Sequence, residues 1–409
     1  MDYNQKIKKQ LKELGIDPAK VDALHIKMQQ GEISHDSFKI NKSRLKPPTN
    51  KNYDNYNNLN LEELKKIGEN SIKNDELLIF WLNGGAATRY FDESKISEPE
   101  KEKYILELRN LTPEILKLPK GITPVLEDIT FLELKIKNLL KITEDLNLKK
   151  HPQVILMNSF LTDEKTREHL NKLYEKYPNL DPSRFHFVIQ KPTVPRFAKQ
   201  KNLEDIDLFI DQQGNLSFSP CGHGDFLYLT QEYLKKEKIP KIKYMFFNNI
   251  DNFGTYIDPV LLGYHIKSQK GRTVELALKN PGDKGGAPCF VDEQLMIVED
   301  MKFPKNFDQD QIKVFNTNNF WFTISDLINY NQELPLVIAE KIIPEGEVYQ
   351  LEHFACDVNL PSAYIEVPRE KRFLPSKRYV DVLIYKDSQS KYYQNFKNLL
   401  KNQYNLQLP

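Results

Sequence analysis

The stretch Leu77-Leu78-Ile79-Phe80-Trp81-Leu82-Asn83-Gly84-Gly85-Ala86-Ala87-Thr88-Arg89 decides the fold. An apolar strand, Leu77 to Leu82, opens into a Gly-Gly turn followed by Thr88 and Arg89. Such a turn exposes backbone N–H groups and a guanidinium where a phosphate approaches; an ordinary strand-to-helix turn is the alternative. The stretch contains neither a Walker A loop nor Gly-x-Gly-x-x-Gly, so kinase-type and dinucleotide-binding readings lose their main support.

Further along, 154–157, 185–189, 244–247 and 274–278 are short apolar runs that read as strands. Between them Leu132, Ile136, Leu139 and Leu140 form an apolar stripe, and Thr162 stands where it caps a helix running to about Lys176. Strands alternating with helices predict an α/β fold with a mostly parallel sheet. Before the first strand, Asn60 with Glu63 forms a capping-box pattern. Ile7, Leu11 and Leu14, then Asp17-Pro18 with Val21, Leu24 and Met28, predict a helical preface, and residues 36–58 read as a surface connector.

The 409 residues carry 58 Lys plus Arg against 57 Asp plus Glu, a net charge of +1, so there is no global field to attract nucleic acid. With 40% hydrophobic residues the chain buries a core, and wholesale disorder is excluded. Cys221, Cys289 and Cys356 are odd in number and far apart, which fits a reducing cytosol and not a disulfide framework. No apolar run suggests secretion or membrane insertion, so a cytoplasmic location is expected.

Three other segments carry chemistry. Leu118-Pro119-Lys120-Gly121-Ile122-Thr123-Pro124 holds one lysine on a constrained loop, either a point charge for phosphate or a solvated turn lysine. Cys221-Gly222-His223-Gly224-Asp225 flanks a histidine with glycines that permit close approach of a ligand, or else forms a plain glycine-rich turn. Phe247-Asn248-Asn249-Ile250-Asp251-Asn252 ends an apolar strand in amides around one carboxylate. Ligands of open α/β sheets bind beyond the carboxyl ends of strands, and Mg²⁺ takes one or two carboxylates plus phosphates, so Asp251 is the metal candidate; a strand-terminating Asx turn is the alternative.

In order, these segments resemble the UTP–glucose-1-phosphate uridylyltransferase (UDP-glucose pyrophosphorylase) family and its UDP-sugar and UDP-N-acetylglucosamine pyrophosphorylase relatives. The resemblance runs from Asn83-Gly84-Gly85 through Pro119-Lys120, Met157-Asn158-Ser159, Val188-Ile189-Gln190, Gly222-His223-Gly224-Asp225 and Asn249-Ile250-Asp251-Asn252. It continues through Asp283-Lys284-Gly285-Gly286, Asn316-Thr317-Asn318-Asn319 and Gln350-Leu351-Glu352 to Leu374-Pro375-Ser376-Lys377. It implies a Rossmann-like nucleotide-diphospho-sugar transferase fold: a mixed, mostly parallel sheet with a helical preface over 1–75, a catalytic domain over 76–385 and a short tail over 386–409. It further implies a nucleotidyltransferase joining UTP and a sugar 1-phosphate, with glucose 1-phosphate leading, to give a UDP-sugar and pyrophosphate with Mg²⁺. UDP-N-acetylhexosamine or broad UDP-sugar synthesis, and a catalytically silent UDP-sugar-binding protein, are the alternatives.

Carried over residue by residue, the resemblance gives Gly84, Gly85 and Thr88 to the nucleotide loop, and Gln190 with the Gly222 backbone to uracil. It puts His223 at the sugar phosphate, Asn249 and Asn319 near the sugar, and Asp251 at the metal. Arg89, Lys120 and Lys377 offset repulsion between the two anions. The family loop has a glycine where Ala87 stands; a methyl costs little there if φ is negative, but obstructs the loop if the position needs positive φ or very close phosphate approach. About thirty residues separate Arg89 from Lys120, an insertion with helical spacing at Tyr104, Ile105 and Leu108 that reads as a lid or a surface helix. Lys284 and Glu299 are second-tier candidates. The 32 residues after Lys377 are too few for a β-helical oligomerisation domain, so a monomer or dimer is expected.

Overall fold

The computed structural model describes residues 3–408 except 86, 88, 238, 240, 281, 282 and 284. Within them an eight-stranded sheet is built from β1 (Asp54–Asn55), β2 (Leu77–Leu82), β3 (Gln153–Ser159), β4 (Phe185–Gln190), β5 (Tyr244–Asn249), β6 (Arg272–Leu278), β7 (Val314–Thr323) and β8 (Ser362–Glu366). Their spatial order is β1-β8-β6-β7-β5-β2-β3-β4. The block β5-β2-β3-β4 is parallel, as is β6-β8-β1, and β7 runs antiparallel between the two blocks. The sheet is therefore mixed and mostly parallel, as the alternation of elements predicts.

The apolar strands divide between two cores. Leu77, Ile79, Trp81, Val154, Leu156 and Phe246 face one side, while Leu78, Phe80, Ile155, Met157, Met245 and Phe247 face the other. Burial on both faces is why these segments lack polar alternation. Helices Leu61–Lys73, Phe131–Asp145 and Pro259–Ser268 cover the first face, and Asp225–Lys236 covers the second through Phe226 and Leu227. Leu82 is in register with Asn249 and Met157, and Ser159 with Gln190, so β2 to β5 end at one edge. That edge presents the candidate loops.

The N-terminal helices form as the apolar spacing predicts, the second capped by Asp17 and the first by Asn4. Asn4 Oδ1 accepts from Ile7 N–H at 2.9 Å and Asp17 Oδ1 from Ala19 N–H at 2.9 Å. They bury Ile7, Leu11, Val21 and Met28 with Phe197, Ile338 and Leu351 of a three-stranded sheet made by Phe197–Ala198, Val337–Ile343 and Gly346–Glu352. The preface thus shares a core with the body of the protein. The insertion contains the helix Glu98–Arg109, bound to the surface by Arg378 Nη1 to Glu100 Oε2 at 2.8 Å and Tyr104 Oη to Asp387 Oδ2 at 2.6 Å. Residues 386–409 include the helix Tyr393–Tyr404, whose Phe396, Leu400 and Tyr404 lie in the larger core. Among the described residues no helix is long and apolar enough to cross a membrane.

Candidate functional site

Three loops meet at the carboxyl edge. Asn83, directly after β2, is buried and donates from Nδ2 to Asn158 Oδ1 at 2.7 Å and Thr166 Oγ1 at 3.1 Å. A Cβ on Gly121 would lie 1.8 Å from Asn83 Oδ1, so only glycine lets the Lys120 loop settle over this amide. The backbone N–H of Lys120 donates to Gly85 O at 3.1 Å. Its ammonium donates to Asp251 Oδ2 at 2.6 Å and Ser376 O at 3.0 Å, and lies 4.7 Å from the centre of the Tyr90 ring. Ser376 N–H returns a bond to Asp251 O at 2.9 Å. The Lys120 and Asp251 side chains retain 17% and 22% exposure, enough to meet a ligand while partly shielded from water.

A second cluster adjoins it. Gln190, at the end of β4, donates from Nε2 to Gly222 O at 2.7 Å and Asp225 Oδ2 at 2.9 Å. A Cβ on Gly84 would come 2.9 Å from Gln190 Oε1, which places the first glycine of the turn against this amide. Gly222 has φ +82°, and a Cβ there would lie 2.7 Å from His353 O; one on Gly224 would lie 2.7 Å from His353 Cδ2. The glycine pair therefore allows close packing on His353. His223 Nδ1 accepts from Ala355 N–H at 3.1 Å, which assigns the ring proton to Nε2. Burial pushes its pKa down to about 4, so the ring is neutral at physiological pH.

Other predicted residues stand differently. Asn249 Oδ1 accepts from Asn318 Nδ2 at 3.1 Å, whereas Asn319 is fully buried and donates to Glu275 Oε2 at 3.1 Å. The side chain beside Asn249 is that of Asn318, which stands at φ +61° where the register of β7 against β6 shifts. Arg89 is exposed, and its charge is a minor contributor, after hydrogen bonds from Ser94, to holding the Asp92 carboxyl below its usual range. Lys377 is exposed and adjoins Ser376, but it borders a cavity of about 780 Å³ with Arg369, Phe373 and Arg378. Thr88 and Lys284 lie outside the described residues. Burial pushes the Glu299 carboxyl up, and its Oε1 accepts from Cys356 Sγ at 3.0 Å.

Sequence reasoning missed the supports. Asp225 ends the Cys221–Asp225 segment and takes Cys221 N–H locally at 3.2 Å, but its bonds to Gln190 and to His353 Nε2 at 2.8 Å come from distant chain. Lys135 is buried beneath the Asp251 loop and donates to Asn252 O at 2.6 Å and Thr255 O at 2.8 Å; burial pushes its pKa well below the usual lysine value. Its position on an amphipathic helix gave no sign of this contact.

With this geometry in place, comparison with known proteins fixes the lineage. A Schizosaccharomyces pombe protein named "Probable UTP--glucose-1-phosphate uridylyltransferase" is 32% identical over 293 residues, 66% of this chain and 54% of its own length. UTP--glucose-1-phosphate uridylyltransferase 2 of Dictyostelium discoideum is 28% identical over 282 residues, 65% of this chain and 54% of its own length. The chain thus spans about half the length of these curated relatives. Its fold matches a variant of UDP-glucose pyrophosphorylase from Leishmania major with a TM-score of 0.67 at 23% identity, covering 93% of this chain and 78% of that one. It also matches the uridine diphosphate N-acetylglucosamine pyrophosphorylase of Trypanosoma brucei with a TM-score of 0.70 at 17% identity, covering 93% and 79%. The family model for UTP--glucose-1-phosphate uridylyltransferase matches residues 115–407, and the chain belongs to that family.

Proposed function

We propose that the protein transfers a uridylyl group from UTP to a sugar 1-phosphate, with glucose 1-phosphate the leading acceptor. A phosphate oxygen of the sugar phosphate forms a bond to the α-phosphorus of UTP as the bond to the β-phosphate oxygen breaks, and pyrophosphate leaves in line. Such a reaction needs alignment and charge neutralisation more than covalent chemistry. The observation that carries the reading is the approach of Lys120 to Asp251 at 2.6 Å beside the Gly84-Gly85 turn, in a chain of this family.

In this reading Gly84, Gly85 and Thr88 cradle the nucleotide, Gln190 and the Gly222 backbone hold uracil, and the Nε2–H of His223 donates to the sugar phosphate. Asn249 and Asn318 face the sugar. Lys120 neutralises phosphate charge, with Arg89 and Lys377 approaching from exposed positions. The donor set fits Mg²⁺: Asp251 supplies one carboxylate and the substrates supply phosphate oxygens, an arrangement this cation favours over an all-protein cage. Bound there, Mg²⁺ would offset charge on the reacting phosphates. All three cysteines are free and buried, which supports a reducing compartment such as the cytosol.

The test is pyrophosphate release from UTP and Mg²⁺ with glucose, galactose and N-acetylhexosamine 1-phosphates. Release with at least one acceptor is expected, most rapidly with glucose 1-phosphate. Absence of release with every acceptor would overturn the reading.

A further inference from the structure

We infer that Asp225 sets the base preference of this site by fixing which end of the Gln190 amide meets the ligand. Gln190 Nε2 faces two groups, Gly222 O at 2.7 Å and Asp225 Oδ2 at 2.9 Å. A carbonyl and a carboxylate only accept, so a reversed amide would set Oε1 against both. Asp225 is itself held in place: Oδ1 pairs with His353 Nε2 at 2.8 Å, and Oδ2 also takes Cys221 N–H at 3.2 Å. In both contacts the Asp225 oxygen is the accepting atom.

What remains to recognise a ligand is Gln190 Oε1, on the side of Gly84. Among the described residues none donates to it. An amide oxygen accepts and cannot donate, so the matching base edge must present an N–H. Uracil does so at N3, whereas cytosine carries a lone pair at N3 and its N–H only on the 4-amino group, so with N3 facing Oε1 it would oppose acceptor to acceptor. The inference rests on the uridylyl reading of the site and adds a residue to it. Asp225 touches no substrate; it is a positioning residue that acts through Gln190 to favour uridine over cytidine nucleotides.

The experiment measures kcat/KM with UTP and with CTP for the wild type, Asp225→Ala, Gln190→Ala and the double variant. Asp225→Ala is expected to lower the UTP:CTP ratio by about tenfold or more, the range for losing a charged hydrogen-bond partner, while KM for glucose 1-phosphate moves less than about twofold. In the Gln190→Ala background the same substitution is expected to have no further effect on the ratio. Asp225→Asn, which retains an acceptor for Gln190, should restore the wild-type ratio to within about threefold. If Asp225→Ala does not fold, Asp225→Ser replaces it, because a hydroxyl tolerates either amide orientation.

An unchanged ratio in the Ala or Ser variant, or an equal fall in the Gln190→Ala background, overturns the inference while leaving uridylyl transfer intact. A wild type that releases pyrophosphate with neither nucleotide defeats the functional reading itself. Direct titration with UTP and CTP then judges Asp225 separately, and equal binding of the two counts against it.

Discussion

Arg372 and Glu275 form a fully buried ion pair through two hydrogen bonds, Nη2 to Oε1 at 2.7 Å and Nε to Oε2 at 3.0 Å. The same carboxylate accepts from Trp321 Nε1 at 2.9 Å and from Asn319 Nδ2. Arg372 O accepts from Asn252 Nδ2 at 3.2 Å, and a Cβ on Gly254 would lie 2.4 Å from the Arg372 carbonyl carbon. The pair therefore supports the loop that carries Asp251.

Glu275→Gln should be among the most destabilising single substitutions in the protein. It removes the hydrogen-bonded counter-ion of the buried Arg372 charge, a loss of about 3–5 kcal/mol, and chemical denaturation should show it directly. Replacing both residues by apolar ones should destabilise less than this single change. A Glu275→Gln variant as stable as the parent would show that the guanidinium reaches water.

Helices Leu61–Lys73 and Pro259–Ser268 cross at glycines: a Cβ on Gly263 would lie 1.9 Å from Leu64 O, and one on Gly68 would lie 1.9 Å from Pro259 O. Gly263→Ala forces backbone apart from backbone, so a destabilisation of about 1–3 kcal/mol is expected, read as a lower thermal midpoint. Gly263 packs on Leu64 and not on Lys120, Asp251 or Gln190, so turnover per folded molecule should be retained.

Ala87 has φ +58° and its carbonyl accepts from Tyr90 N–H at 2.9 Å. The loop already holds the conformation that glycine adopts freely, at a strain of about 1–2 kcal/mol. Ala87→Gly should therefore gain about 1 kcal/mol at most, since glycine also loosens the unfolded chain, and should alter turnover by less than threefold. A rise in pyrophosphate release of 10²-fold, near the effect of restoring one electrostatic donor, would instead mean that the methyl obstructs the nucleotide.

Stability should fall as pH drops from about 6.5 toward 4. Burial holds His223 and His265 near pKa 4 in the folded protein, and lowers His151, His169 and His186 as well. The unfolded chain binds protons at about 6.5, so it takes up more protons than the native state in this window. The contribution is complete above that pH and declines below it, by roughly 2 kcal/mol for each fully shifted histidine at pH 5. Urea unfolding at pH 7 and pH 5 measures the slope; equal stability at the two values would place these rings in water.

The parallel block was readable because Leu77–Leu82 and its neighbours are covered on both faces and so are apolar without interruption. The central antiparallel strand Val314–Thr323 was not, since Asn316-Thr317-Asn318-Asn319 interrupts it with polar side chains. Those residues are tolerated there by partners far away in sequence, Glu275 for Asn319 and Asn249 for Asn318. Lys120 and Asp251 were legible as constrained polar residues in loops, but their pairing across 131 positions belongs to the fold. Lys135 and Arg372 look like surface charges in any one-dimensional pattern, because a buried charge is recognised only through its partner. Asp225 stood in the Gly222–Asp225 motif, but its partners Gln190 and His353 lie far off in sequence.

The central claim is that Lys120, together with a cation held through Asp251, offsets the charge of two anions at the carboxyl edge of the sheet. Steady-state pyrophosphate release by Lys120→Met and Asp251→Asn, each first checked for native unfolding behaviour, tests it most directly. Each variant should lose on the order of 10²-fold or more in kcat. Folded variants that keep full turnover would contradict the account.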